Sequence, residues 1–174
     1  DLDFPVKKAN TNIEKINFEI NHDFSKSNYA YLMEYHEYLT PKALNKLLEN
    51  DIIVKVSTRQ FTLEGKEFDY GTILIPVLNN DADKLYAMVK EISKESMVKI
   101  QSVKTGYAEG PDLGSSYFKR LRKKNIGLLV GDGITSYDAG EIWHLLDTRY
   151  DVKVNKLDLR NIERIDLDKY TTII

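Results

Sequence analysis

"IGLLVGDGITSYDAGEIWHLLDTRY", residues 126–150, is the stretch on which the fold turns. Ile126 to Val130 is a short apolar run of the kind that makes a buried strand. Gly131 and Gly133 then supply a turn, and from Ser136 onward the residues read as an amphipathic helix. Strand, turn and helix in that order form one crossover of a layered α/β sheet, because parallel strands need a connecting element and that element covers the sheet face.

The turn also sits where an α/β protein can hold an anion, with backbone N–H groups at the positive end of a helix. Against that use, the dinucleotide fingerprint requires a third glycine-like residue where this chain places Ser136, no Gly-x-x-x-x-Gly-Lys-Ser/Thr is present, and Asp132 inside the loop would repel a phosphate. The turn is therefore read as structural, with Thr135 or Ser136 capping the helix. Gly131, Asp132, Gly133 and Ser136 stand as the loop's candidate ligand contacts. Further along, Glu141, His144 and Asp147 are spaced three apart and share a helix face. A metal site needs three or four converging ligands, and the only other histidines are His22 and His36, so a surface hydrogen bond is the expected use of this face. Glu141 and His144 complete the set of candidate ligand contacts, and Trp143 is expected to anchor packing.

Upstream, "NIEKINFEI" (12–20) alternates like a strand and "YAYLMEY" (29–35) reads as another, with Tyr29, Tyr31, Tyr35 and Tyr38 expected to line one sheet face. "TPKALNKLLEND" comes next as a helix capped by Thr40, and "IIVKVS" (52–57) as the returning strand. Glu64-Gly65-Lys66 marks a hairpin, "GTILIPV" an interior strand, "DADKLYAMVKEISKES" (81–96) a second amphipathic helix, and "VKIQSV" a strand. Two strand-helix-strand units result, and their crossovers point to parallel pairing. Asp81 and Asp83, like Asp166 and Asp168, lie in polar contexts that suit helix caps or turns better than paired-carboxylate catalysis. The glycine-rich, charged stretch 106–125 reads as a connector, which divides the chain into 1–105, an α/β domain, and 126–174. The second part shows three strands where a doubly wound sheet normally has five or six, so it reads as part of a domain with an exposed edge that invites pairing with a second copy.

Composition removes several functions. With 25 Lys plus Arg against 27 Asp plus Glu, the formal net charge of -2 offers no footprint for nucleic acid or an anionic membrane, and "KRLRKK" (119–124) reads as a solvated face. There is no cysteine, hence no disulfide and no thiol nucleophile. No apolar run approaches the roughly 20 residues of a membrane helix, and the first residues carry no signal-peptide pattern. No Gly-x-Ser-x-Gly elbow or His-Glu-x-x-His is present, so nothing assembles a nucleophile, a base and an orienting group.

"GYAEGPDLGSSYF" together with "LLVGDGITSYDAGEIWHLLDTRY" resembles the region downstream of the peptidase domain in bacterial zinc carboxypeptidases of the M14 class. The matching positions include Gly106, Asp112, Gly114, Gly131, Gly133, Trp143, His144, Asp147, Arg149 and Tyr150, and the similarity extends over about residues 28–174, including "GTILIPV" and "LDKYTTII". Asp112, Gly114, Trp143, Asp147 and Arg149 serve as its structural signature. The resemblance implies a C-terminal part like a class I glutamine amidotransferase, flavodoxin-like and without the nucleophilic cysteine. The family's zinc centre uses a His-x-x-Glu pair and a later His; this chain reads His22-Asp-Phe-Ser, His36-Glu-Tyr-Leu and His144-Leu-Leu-Asp147, so no catalytic residue carries over. The resemblance thus implies a non-catalytic accessory region of a secreted or periplasmic metallocarboxypeptidase, with no cofactor of its own, zinc in the peptidase domain, and that domain of the same polypeptide as partner. The alternative is a free-standing α/β module that binds a small ligand, carbohydrate or peptide at the open strand ends.

Overall fold

A computed structural model describes residues 25–78 and 80–174; the strand expected at 12–20 and His22 lie outside the described residues. The chain is mixed α/β, built in two halves of different design. None of its helices is long and apolar enough to cross a membrane, among the described residues.

The first half is a five-stranded sheet. β1 (Ala30–Met33), β2 (Lys55–Ser57), β5 (Ile73–Pro76), β6 (Ile100–Val103) and β7 (Phe118–Arg120) lie in the order β6-β1-β5-β2-β7, and every neighbouring pair is antiparallel. The parallel pairing expected of two strand-helix-strand units is therefore corrected here. α1 (Thr40–Glu49) joins β1 to β2 and α2 (Ala82–Ser96) joins β5 to β6, and within each unit the two strands do run parallel. They are not adjacent, however: β5 enters between β1 and β2, and β1 lies between β5 and β6. This interleaving is the split β-α-β arrangement of ferredoxin-like domains. Each unit's periodicity is local, whereas the partner strand comes from the other unit, so spacing alone does not reveal it.

Side-chain alternation feeds two cores from one sheet. Tyr31, Met33, Ile73 and Ile75 face the helices and pack with Ala43 and Leu47 of α1 and Leu85, Val89 and Ile92 of α2. Ala30, Leu32 and Leu74 face the other way, onto a hairpin of β3 (Phe61–Leu63) and β4 (Lys66–Phe68) and onto Leu113 and Phe118. Phe61 stacks on Phe68 with centroids 5.0 Å apart and meets Phe118 edge-on at 5.3 Å. The hairpin turns where the sequence marks it, with Glu64 and Gly65 both at positive φ. Residues 106–120, expected as part of a connector, carry β7 and a bridge between Thr62 and Glu109, and Leu113 is buried there.

Helix ends show which caps operate. Asp81 caps α2 by accepting from the Asp83 and Lys84 amides, both at 3.2 Å, and Met97 in the left-handed region stops that helix. Thr40 is not a cap: it is the first helical residue, Leu39 holds the cap position, and the buried Thr40 hydroxyl has no hydrogen-bond partner among the described residues. The expected tyrosine face is also corrected. Of the four, only Tyr31 is buried in the sheet, while Tyr29, Tyr35 and Tyr38 are exposed beyond the ends of β1.

The second half is a three-stranded parallel sheet, with β8 (Ile126–Val130) in the centre, β9 (Val154–Asp158) on one side and β10 (Thr172–Ile173) on the other. α3 (Ser136–Trp143) and a π turn (144–149) make the β8-to-β9 crossover, and two 3-10 turns lead to β10. Here the parallel expectation agrees with the structure. The halves meet along α1, mostly through polar groups. Lys42 pairs with Asp151 at 2.9 Å, Asn45 donates to the Asp151 carbonyl at 2.6 Å, and Glu49 accepts from Lys123 at 3.0 Å and Lys153 at 3.4 Å. Arg149 donates to the Tyr38 hydroxyl.

Candidate functional site

The crossover β8-turn-α3 places the candidate residues around one helix, on two different sides of it. On the sheet side, Leu128 and Val130 of β8, Ile134 of the turn, Ala139 and Trp143 of α3, and Lys156 of β9 enclose a groove of about 410 Å³ that Gly131, Ser136 and Gly140 complete. On the outer side, Tyr137, Glu141, His144, Leu145 and Arg149 line a shallower, more open shelf. The six candidate contacts are thus divided: Gly131 and Ser136 belong to the groove, and Glu141 and His144 to the shelf, which Ser136 also borders. Asp132 and Gly133 are exposed on the turn between them.

The glycines of the turn have a local cause. Gly131 lies at φ +99°, and a Cβ there would sit 2.9 Å from Asp158 Oδ1 at the end of β9; Gly133 lies at φ +92°. The Ile134 amide donates back to the Gly131 carbonyl at 3.0 Å and closes the turn. Thr135 holds the cap position of α3, yet its side chain makes no cap bond, which corrects the expected Thr135 or Ser136 cap. Electrostatics beside the turn are set by Asp158. Its carboxylate accepts from Arg160 Nε at 3.1 Å and Arg160 Nη2 at 2.7 Å and from the Arg160 amide at 3.0 Å, so its pKa is held down to about 2, chiefly by the guanidinium. A carboxylate kept ionised beside Gly131 makes the turn a poor cradle for phosphate.

Trp143 does not anchor a core as expected. It remains 38% exposed, and its ring is covered by the Lys156 ammonium, 3.8 Å from the centroid. The helix that should bury it has only Ala139 buried, because no second layer covers this side of the sheet among the described residues. Lys156 makes no ion pair with a described carboxylate. Sequence reasoning missed it, since its value depends on the register Leu128↔Lys156, which sets it beside an apolar residue of β8.

The structural signature is spread over both halves. Asp112 accepts from the Ala108 amide at 2.9 Å and so shapes the loop that buries Leu113, while Gly114 has open space around it. Arg149 bridges to Tyr38 of the first half, with its guanidinium carbon 5.6 Å from that ring's centroid. Asp147 is exposed on the π turn. No three of His, Asp and Glu converge to hold a metal ion among the described residues. The chain matches no family model, no curated protein and no solved structure.

Proposed function

We propose that this chain is a non-catalytic accessory region of a secreted or periplasmic zinc metallocarboxypeptidase, packing on or supporting the peptidase domain of the same polypeptide. The observation that carries the reading is the second half's strand order. Three parallel strands with the first in the middle, β9-β8-β10, repeat the opening of a flavodoxin-like sheet of order 2-1-3, and the stretch that resembles the carboxypeptidase-associated region forms its first crossover. On this reading the turn's glycines serve the architecture of that layer. The zinc, and the groups that act on substrate, belong to the peptidase domain, and this region contributes surface and support.

Reading the coding sequence on both sides of these residues tests the proposal. A His-x-x-Glu pair with a later His upstream, together with further strand-helix repeats downstream, is the expected result. Start and stop codons closely flanking residues 1–174 would overturn it. A second test uses the purified chain: stoichiometric zinc accompanied by release of C-terminal residues from peptides would make the chain a peptidase in its own right and sink the accessory role.

A further inference from the structure

We propose that the groove between β8, β9 and α3 binds a small monoanion with a flat apolar body, of which an aromatic carboxylate is the fitting class. Three features converge on that chemistry. The groove's volume of about 410 Å³ falls within the size of small-ligand sites, and its walls are mostly aliphatic or aromatic, from Leu128, Val130, Ile134 and Trp143. Its one charged lining residue is Lys156, whose ammonium lies 3.8 Å over the Trp143 ring and has no carboxylate partner among the described residues. On the α3 wall, Gly140 borders the groove and has nothing within 4 Å of a Cβ placed on it.

These features exclude other ligands by charge and shape. A cation meets Lys156 and is repelled. A neutral apolar molecule fits the walls but leaves the ammonium without a counter-charge. A bare phosphate lacks the body that the apolar walls would bury. An aromatic carboxylate lays its ring along the walls and its charge against Lys156, which gains a charge-assisted partner. The inference is independent of any service to a peptidase, and no peptidase is needed to test it.

Trp143 is the only tryptophan of the chain, so its fluorescence reports this groove directly. The full chain is titrated with phenylacetate, with benzyl alcohol as neutral analogue and with phenethylamine as cation. Phenylacetate is expected to change Trp143 emission saturably, benzyl alcohol more weakly, and phenethylamine not at all. Lys156→Gln keeps the aliphatic stem and removes the charge, and should weaken phenylacetate about tenfold, the scale of one charge-assisted contact. Lys156→Glu should transfer the preference to phenethylamine. Gly140→Leu leaves the lysine in place, fills the groove and should abolish the response. Equal affinity for the three probes, no saturable change with phenylacetate, or wild-type binding by Lys156→Gln would each overturn the proposal.

Discussion

The two halves apply one physical rule to very different extents. In the first, both faces of the sheet are covered, by α1 and α2 on one side and by the β3-β4 hairpin with Leu113 and Phe118 on the other, and all four residues of β1 are buried. In the second, a parallel sheet of the kind normally buried on both faces buries only Leu128, Ala139 and Leu157 among its apolar side chains, and Trp143, Leu145, Ile173 and Ile174 remain substantially exposed. Apolar burial is what stabilises a layer against chain entropy, so the first half should be a cooperative unit and the second a dependent one. The difference also accounts for the groove between β8, β9 and α3: an uncovered sheet face beside a single helix is where apolar space is left.

The sharpest way to break this contrast is a matched pair of deletions in the two cores. Leu47→Ala removes a fully buried side chain packed between α1 and the sheet, and should cost about 2–5 kcal/mol of global stability. Leu128→Ala should instead loosen β8 and β9 while leaving the first half folded, seen as faster hydrogen exchange confined to residues 126–174. Equal loss of protection in both halves from either variant would make the molecule one cooperative unit and dissolve the comparison.

A stabilising change sharpens it from the other side. Gly140 lies within α3, is exposed, and would have nothing within 4 Å of a Cβ placed on it, so Gly140→Ala should raise stability by about 0.5–1 kcal/mol through helix propensity alone. The gain should appear as slower exchange in α3 and leave β1 and β5 untouched. A destabilised α3 would show that the groove wall has no room for a methyl group.

Between the halves the contacts are ionic and partly exposed. Asp151 lies at φ +54° and pairs with Lys42 and Lys46, and Asp151→Asn keeps a residue tolerant of that backbone while removing the charge. The expected loss is small, about 0.2–1 kcal/mol, because its side chain is 42% exposed and water screens the pair. The readout is proteolysis in residues 121–125, which should quicken with added salt in the wild type and be quick at low salt in the variant. Salt-independent cleavage in both would mean that the halves are held by something other than these pairs.

Local signals in the chain were legible where the cause is local. Ile126–Val130 forms a strand over the expected residues, Gly65 turns the hairpin, and Asp81 caps α2, each decided by a residue and its near neighbours. The antiparallel interleaving of the first sheet was not legible, because β5 reaches its place between β1 and β2 from the next unit along the chain. The site was half legible. The helix and turn were, but Lys156 and Asp158 enter through the β8-β9 register, and Trp143 defied its burial propensity because the layer that would cover it is not among the described residues.

The smallest expected effect tests the electrostatics at the end of β9. The Asp158 side chain is partly open to solvent, yet the Arg160 fork holds its pKa at about 2, below the ordinary 3.8. A depressed folded value means that the ionised carboxylate favours the folded turn. That contribution is fully present above pH 3.8 and is lost as pH falls towards and through 2. Because the carboxylate also caps the 3-10 turn at Leu159–Arg164 and lies beside Gly131, the β8-α3 turn should keep its amide shifts at pH about 3, where ordinary aspartates are mostly protonated. Replacing the arginine by lysine, Arg160→Lys, should raise the Asp158 midpoint by losing the two-pronged geometry while keeping the charge. An NMR titration of the Asp158 carboxyl carbon reads both. A wild-type midpoint of 3.8 would show that the Arg160 fork does not persist in solution, and that the turn's glycines face an ordinary, solvated carboxylate.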